Sequence, residues 1–287
     1  MQAKSVILIL AVALTGMAIA IVYSLDQYNN IIDSKEKISL NGANSSEPIT
    51  KSKTLGQPGS YSIENAIPLC VITFDDGYSS QYGAYTYMAS KGIRGTIYVI
   101  TDLIGHRGSL TYLTLEQLHE IYNAGWDIGS HTDSHPDMTN LTEQQSEEHI
   151  EKAYDYLILY GFTRSAHHFA YPFGAYNDKA ITALQAQGVL TARTVDGGYE
   201  TLPYNMFRLK AQGGNNVTLT RSYIDSAMAS GKTVFLIFHV LTEGTPQNND
   251  EYKLSDFHDI IDYIVKKKLK CMTISEWYNY AQNMSRR

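Results

Sequence analysis

The chain has 287 residues, enough for one large domain or two small ones. A net charge of −6 excludes a general nucleic-acid binder, and two cysteines exclude a disulfide-stapled scaffold. Its 22 tyrosines suit carbohydrate contact and barrel packing alike, so they decide neither.

Residues 5–25 carry no charge, lie between Lys4 and Asp26, and suffice to span a bilayer. The lysine on the N-terminal side directs the start of the chain to the cytoplasm and the rest outside. The alternative is a signal peptide cut near Ala18-Ile19-Ala20, giving a secreted protein. Residues 26–66 are polar, without periodicity, and rich in turn dipeptides such as Asn41-Gly42 and Pro58-Gly59. As a flexible coil this tether spans roughly 35 Å. We therefore expect an anchor or signal peptide over 1–25, a linker over 26–66 and a folded domain over 67–287.

From residue 67 onward, strand-like and helix-like stretches alternate. Pro68-Leu69-Cys70-Val71-Ile72 reads as a buried strand, and 95–100 as the next. A helix over 114–124 starts at the cap Thr114. A strand at 126–130 precedes a long helix over 141–160 capped by Thr142. Then come a strand at 167–171, a helix at 177–187, a strand at 190–195 and a weaker one at 207–210. A helix at 219–229 leads to the most apolar strand, 233–240. A helix over 254–267, a short strand at 272–273 and a last helix capped by Ser275 complete the chain.

This alternation predicts a parallel sheet. Seven or eight units over roughly 215 residues predict a closed or nearly closed (β/α) barrel, an open doubly wound sheet being the alternative. No glycine-rich loop follows the first strand, which argues against a nucleotide. In a closed sheet the first and last strands are neighbours, which brings Cys70 near Cys271; both are read as buried free thiols.

Catalytic groups of such barrels gather at the C-terminal ends of strands. The first strand runs into Thr73-Phe74-Asp75-Asp76-Gly77-Tyr78. Side chains alternate along a strand, so the two acids aim differently and can hold different jobs, one on a metal and one moving a proton. Strand 126–130 runs into His131-Thr132-Asp133-Ser134-His135-Pro136, whose two histidines meet on one side of a turn or short helix. With Asp76 they offer two nitrogens and one oxygen, the open three-ligand set of a catalytic divalent metal. His239 ends the apolar strand 233–240 and suits a general acid or a satisfied core position. Phe169-Ala170-Tyr171-Pro172-Phe173-Gly174 forms a tight turn whose backbone N–H groups suit a developing oxyanion.

Four stretches in this order resemble the polysaccharide deacetylase family, the NodB homology domain of carbohydrate esterase family 4, over roughly 67–281. Thr73–Gly77 matches T-F-D-D-G without a gap. His131 to His135 matches H-[ST]-x-x-H. Ala170 to Gly174 matches R-x-P-[YF]-G with Ala170 in place of the arginine, and Ile237-Phe238-His239 matches L-x-H. The resemblance implies a distorted (β/α) barrel of about seven parallel strands and one divalent ion, usually Zn2+, with Co2+, Ni2+ or Mn2+ as alternatives. It implies Asp76, His131 and His135 as ligands, Asp75 as base, His239 as acid, and the Phe173 N–H as an oxyanion contact. Asp196, in Val195-Asp196-Gly197-Gly198-Tyr199, is expected to orient His239.

The family's arginine pairs with the catalytic base. With Ala170 in its place, Arg193 is the candidate substitute and Arg208 the weaker one. His167 and His168, which precede the Ala170–Gly174 turn, are read as structural, with one of them facing the site as the lesser alternative. The implied activity is removal of the N-acetyl group from an amino sugar of an extracellular or cell-wall polysaccharide, by a monomer tethered through its N-terminal helix. The alternatives are hydrolysis of a non-sugar amide or O-acetyl ester, or a glycan-binding barrel without catalysis.

Overall fold

The computed structural model describes residues 67–213 and 216–286. The expected anchor and linker lie outside these residues. No helix among the described residues is long and apolar enough to cross a membrane.

In chain order the elements are β1 (Leu69–Phe74), α1 (Gln81–Ser90), β2 (Thr96–Val99), α2 (Leu115–Asn123), β3 (Asp127–Ser130), α3 (Glu143–Leu159), β4 (His168–Ala170), α4 (Asp178–Ala186) and β5 (Thr191–Arg193). There follow β6 (Gln212–Gly213), α5 (Val217–Ser230), β7 (Thr233–Phe238), β8 (Val240–Thr242), β9 (Glu251–Lys253), α6 (Leu254–Lys267), β10 (Lys270–Met272) and α7 (Ile274–Ser285). The main sheet has eight strands in the order β5-β4-β3-β2-β1-β7-β6, with β10 also on β1. Its pairings are parallel, as the strand–helix alternation predicts.

β1 is the centre of the sheet. β7 runs beside it over its whole length, from Leu69↔Thr233 to Phe74↔Phe238. β10 takes residues Leu69 to Val71, and β2 takes Thr73 and Phe74. Alternate residues of β1 enter different cores: Cys70, Ile72 and Phe74 pack with Trp126 and Phe257, while Leu69 and Val71 pack with Phe235 and Trp277. Both faces of β1 are thus buried, which explains the unbroken apolar run. Continuing the alternation sends Asp75 to the face of Leu69 and Val71. Cys70 pairs in register with Cys271, and both thiols are free, but only Cys70 is buried as expected, since Cys271 is half-buried on the short outer strand β10.

Residues 207–210 do not form the expected strand. Leu209 alone bridges to Arg193, donating to Ala192 and accepting from Thr194, while Gln212 and Gly213 pair with Leu236 and Ile237 of β7. One irregular segment therefore divides its hydrogen bonds between the two outer strands. It links the curled sheet edge to edge, consistent with a distorted barrel.

Capping boxes start α2 (Thr114 with Gln117), α3 (Thr142 with Gln145) and α7 (Thr273 with Glu276). The cap of α7 is Thr273 and not the expected Ser275. Ser275 lies one residue inside the helix and gives its N–H to the buried Asp127 carboxylate at 2.8 Å. Sequence reading also passed over α1, and the small parallel pair β8–β9. α1 buries only Gln81, Ala84 and Met88, so it lacks the wide apolar stripe that reveals a helix.

Candidate metal centre

The β1–β7 ladder reaches Asp75, whose N–H donates to the Phe238 carbonyl at 3.0 Å. The chain then turns through two left-handed residues, Asp76 (φ 71°) and Gly77 (φ 81°). Left-handed φ is uncommon outside glycine. Among the described residues five non-glycines adopt it, and four of these are Asp76, Thr132, His135 and Phe173. Asp76, His135 and Phe173 are candidate site residues, and Thr132 lies between the two histidines. The two histidines therefore meet across a loop, not a short helix. The Thr132 hydroxyl accepts from the His135 N–H at 2.8 Å and holds that loop closed.

Asp76, His131 and His135 converge. An Asp76 carboxylate oxygen lies 3.5 Å from the Nε2 atom of each histidine, and the two Nε2 atoms are 3.1 Å apart. His131 Nδ1 lies 2.8 Å from the Ala170 carbonyl. A carbonyl only accepts, so Nδ1 carries the proton and Nε2 turns a lone pair to the cluster. Burial pushes the His131 imidazole down to about 3, and burial also lowers His135, which keeps both rings neutral. Burial and the adjacent Asp75 raise Asp76 to about 6. Tetrahedral donors held roughly 2.0–2.1 Å from one ion stand about 3.3 Å apart, so the three donors fit a single divalent ion. Tyr78, which the sequence did not single out, lies beside the Asp76 carboxylate, where its hydroxyl favours the ionised form. Its signal is its place in the turn, two residues beyond that aspartate.

Asp75 is nearly fully buried and is held by Arg193, whose Nη2 lies 2.5 Å from both carboxylate oxygens. Burial pushes the Asp75 carboxyl up, but the Arg193 guanidinium, with His131 and His239, outweighs it and leaves the group below the usual carboxylate range. Arg193 is itself fully buried, with its guanidinium over the Tyr98 ring at 5.5 Å. Ala170 of β4 and Arg193 of β5 are register partners. The guanidinium missing at Ala170 is thus supplied from the adjacent strand at the same level of the sheet. Arg208 points elsewhere, to Asp178 at 3.1 Å.

His239 follows β7 directly, its Nε2 3.7 Å from Asp75 Oδ2, an oxygen that Arg193 also holds. Asp196 does not meet it: that carboxylate is exposed and accepts from the Tyr176 hydroxyl at 2.7 Å. The chain turns outward after β5, carrying Asp196 off the sheet. Neither His167 nor His168 joins the cluster. His168 opens β4 at the far end of the strand and bonds Thr191, and His167 packs on Tyr154. Phe173 stands on the rim, 67% exposed, its ring edge-on to His135 at 4.4 Å between centroids. A cavity of about 410 Å³ opens beside His239, lined among others by Val195, Gln212, Asn249, Asp250 and Tyr252.

Residues 64–192 match the family model described as polysaccharide deacetylase. That span includes Asp75, Asp76, His131, His135 and the Ala170–Gly174 turn and stops before Arg193 and His239. The chain is 32% identical over 165 residues to YxkH of Bacillus subtilis strain 168, a polysaccharide deacetylase by name, covering 55% of this chain and 57% of the relative. It is 30% identical over 130 residues to a poly-β-1,6-N-acetyl-D-glucosamine N-deacetylase of Staphylococcus epidermidis, covering 41% of this chain and 45% of the relative. The matches thus span about half the length of these curated relatives. Among solved structures, the T48 deacetylase with substrate superposes with a TM-score of 0.52 at 15% identity, over 75% of this chain and 92% of that one. At that identity the likeness is one of fold.

Proposed function

We propose that this chain, whose residues 64–192 belong to the polysaccharide deacetylase family, is a metal-dependent hydrolase of N-acetyl groups on an amino-sugar polymer. The observation that carries the reading is the division of labour between two adjacent carboxylates. Asp76 belongs to a donor triangle with two neutral histidines, while Asp75 lies between a buried arginine and His239. Adjacent acids driven apart in proton affinity are the pattern of a site that assigns them different roles.

Asp76, His131 and His135 would hold the ion, with Zn2+ favoured by the ligand types. A bound divalent ion supplies Lewis acidity toward an acyl oxygen and acidifies water. Asp75 takes the proton of the water that attacks the acetamide carbonyl. His239 returns a proton to the sugar nitrogen as the C–N bond breaks, so acetate and a free amine leave. The Phe173 N–H is assigned to the oxyanion. Arg193 keeps Asp75 ionised and fixed in direction.

The named activity of the Staphylococcus epidermidis relative favours an N-acetylglucosamine polymer as substrate. The apolar stretch 5–25 favours action outside the cytoplasm, which protease accessibility of the domain on intact cells tests. The decisive assay is acetate release from N-acetylglucosamine oligomers by the full chain loaded with Zn2+, Co2+, Ni2+ or Mn2+. Release that a chelator stops is the expected result. No release with any of these metals overturns the proposal.

A further inference from the structure

Gln81, the first residue of α1, is fully buried. Its side-chain Nε2 donates to the Asp75 carbonyl at 2.6 Å and to the His239 carbonyl at 3.1 Å. Both partners are carbonyls, so the amide must present its NH2 to them. Its Oε1 is buried and has no partner among the described residues. Leaving that oxygen bare is unfavourable, and an apolar side chain of the same length would avoid it. The glutamine is therefore explained by what its nitrogen holds.

These two carbonyls belong to the two residues assigned to proton transfer. The last register pair of β1 and β7 is Phe74↔Phe238, followed by one bond from the Asp75 N–H to the Phe238 carbonyl. Beyond it the strands part. One enters the left-handed turn at Asp76 and the other leads to β8. The amide of Gln81 supplies a further rung at that point of divergence. A second tie from the same helix end supports the arrangement, because Ser80 Oγ accepts from the Leu241 N–H at 3.0 Å. The start of α1 is thus bonded to β1 and to the β7–β8 junction.

We infer that Gln81 is a positioning residue that fixes the distance between the Asp75 base and the His239 acid by bridging their main-chain carbonyls. The inference rests on the hydrolase reading for what the spacing serves, but the bridge is testable without it. Gln81→Met fills the same volume without donors. In the full chain, hydrogen–deuterium exchange should rise about tenfold or more over 75–80 and 239–241, with the interiors of β1 and β7 unchanged. Acetate release should lose about tenfold or more in kcat with KM within about twofold, the split expected when geometry and not binding is lost. Visible absorption of the Co2+-loaded protein should be unchanged, since no ligand is moved.

Unchanged exchange, exchange that rises over the whole sheet, or an unaltered kcat overturns the inference. Should Gln81→Met fail to fold, the parent decides: in labelled protein, Gln81 Nε2 should show through-hydrogen-bond couplings to the carbonyl carbons of Asp75 and His239. Absence of either coupling overturns the inference too. A parent chain inactive on every acetylated glycan overturns the hydrolase reading instead, and the exchange and coupling results still judge Gln81.

Discussion

Arg193 reaches Asp75 across 118 residues of sequence, placing one nitrogen 2.5 Å from both carboxylate oxygens, with Arg193 fully buried and Asp75 nearly so. A buried ion pair of this kind is weak evidence for stability in itself, but breaking it strands a charge.

Arg193→Met should therefore cost about 3–5 kcal/mol in denaturant unfolding. Adding Asp75→Asn should recover much of that loss, because no charge is then left unpaired. Ala170 faces Arg193 in register, so Ala170→Arg in the Arg193→Ala background should restore part of the activity that Arg193→Ala loses. A double variant no more active than Arg193→Ala would show that the two positions are not interchangeable.

Asp75→Asn should lower kcat by about 10²–10⁴-fold with metal still bound. Asp76→Ala and His131→Ala should lose the metal, as read by elemental analysis after gel filtration. Metal loss from Asp75→Asn would mean that the roles of the two acids are reversed.

Metal affinity should fall in acid. Asp76 must be ionised to bind, and in the metal-free site burial and Asp75 hold it at about 6. Below that pH, Zn2+ affinity measured by calorimetry should weaken by about tenfold per unit, while His131, at about 3, stays neutral throughout. The contribution of Asp76 to the metal-free fold has the opposite sign. A raised folded value stabilises below the ordinary carboxylate range, and that contribution is lost as pH rises through 6. His131 and His168, held down by burial, act with the opposite sign over the same window because they take a proton only once unfolded. The Asp76 contribution is therefore read by difference: the stability of the chelated parent minus that of chelated Asp76→Asn should be larger at pH 5 than at pH 7. Asp75, held below the usual range, contributes no change in that window.

Gly174→Ala should be costly twice over. Gly174 has φ 66°, and a Cβ there would lie within 3 Å of three Val195 side-chain atoms. Left-handed alanine costs about 1–2 kcal/mol, and the clash adds about 1–3 kcal/mol. Val195→Ala should remove the clash but not the backbone penalty, so the double variant should regain only part of the stability.

The site was legible where short stretches carry it. Asp75, Asp76, His131 and His135 sit within six residues of a strand end, and an apolar run locates that end. Arg193 was nameable as a candidate, but its contact depends on β4 and β5 pairing with Ala170 opposite, which no local pattern encodes. Asp196 illustrates the converse: three residues past a strand, a loop has already turned outward. Gln81 and α1 were silent because a stripe of Gln81, Ala84 and Met88 has no helical hydrophobic signature. The misplaced strand at 207–210 has a similar cause, since that segment serves two neighbours and satisfies the periodicity of neither.

The left-handed backbone at Asp76, Thr132, His135 and Phe173 bears on how this chain would respond to selection. Each such conformation costs about 1–3 kcal/mol and is relieved by glycine or asparagine. A laboratory campaign rewarding heat resistance alone would find easy gains at these positions and accumulate inert, hardy variants. Variants that gain heat resistance and still turn over should carry their changes elsewhere, so sequencing survivors of a heat-only regime beside survivors of a heat-and-turnover regime would map the centre from the positions that only the first releases.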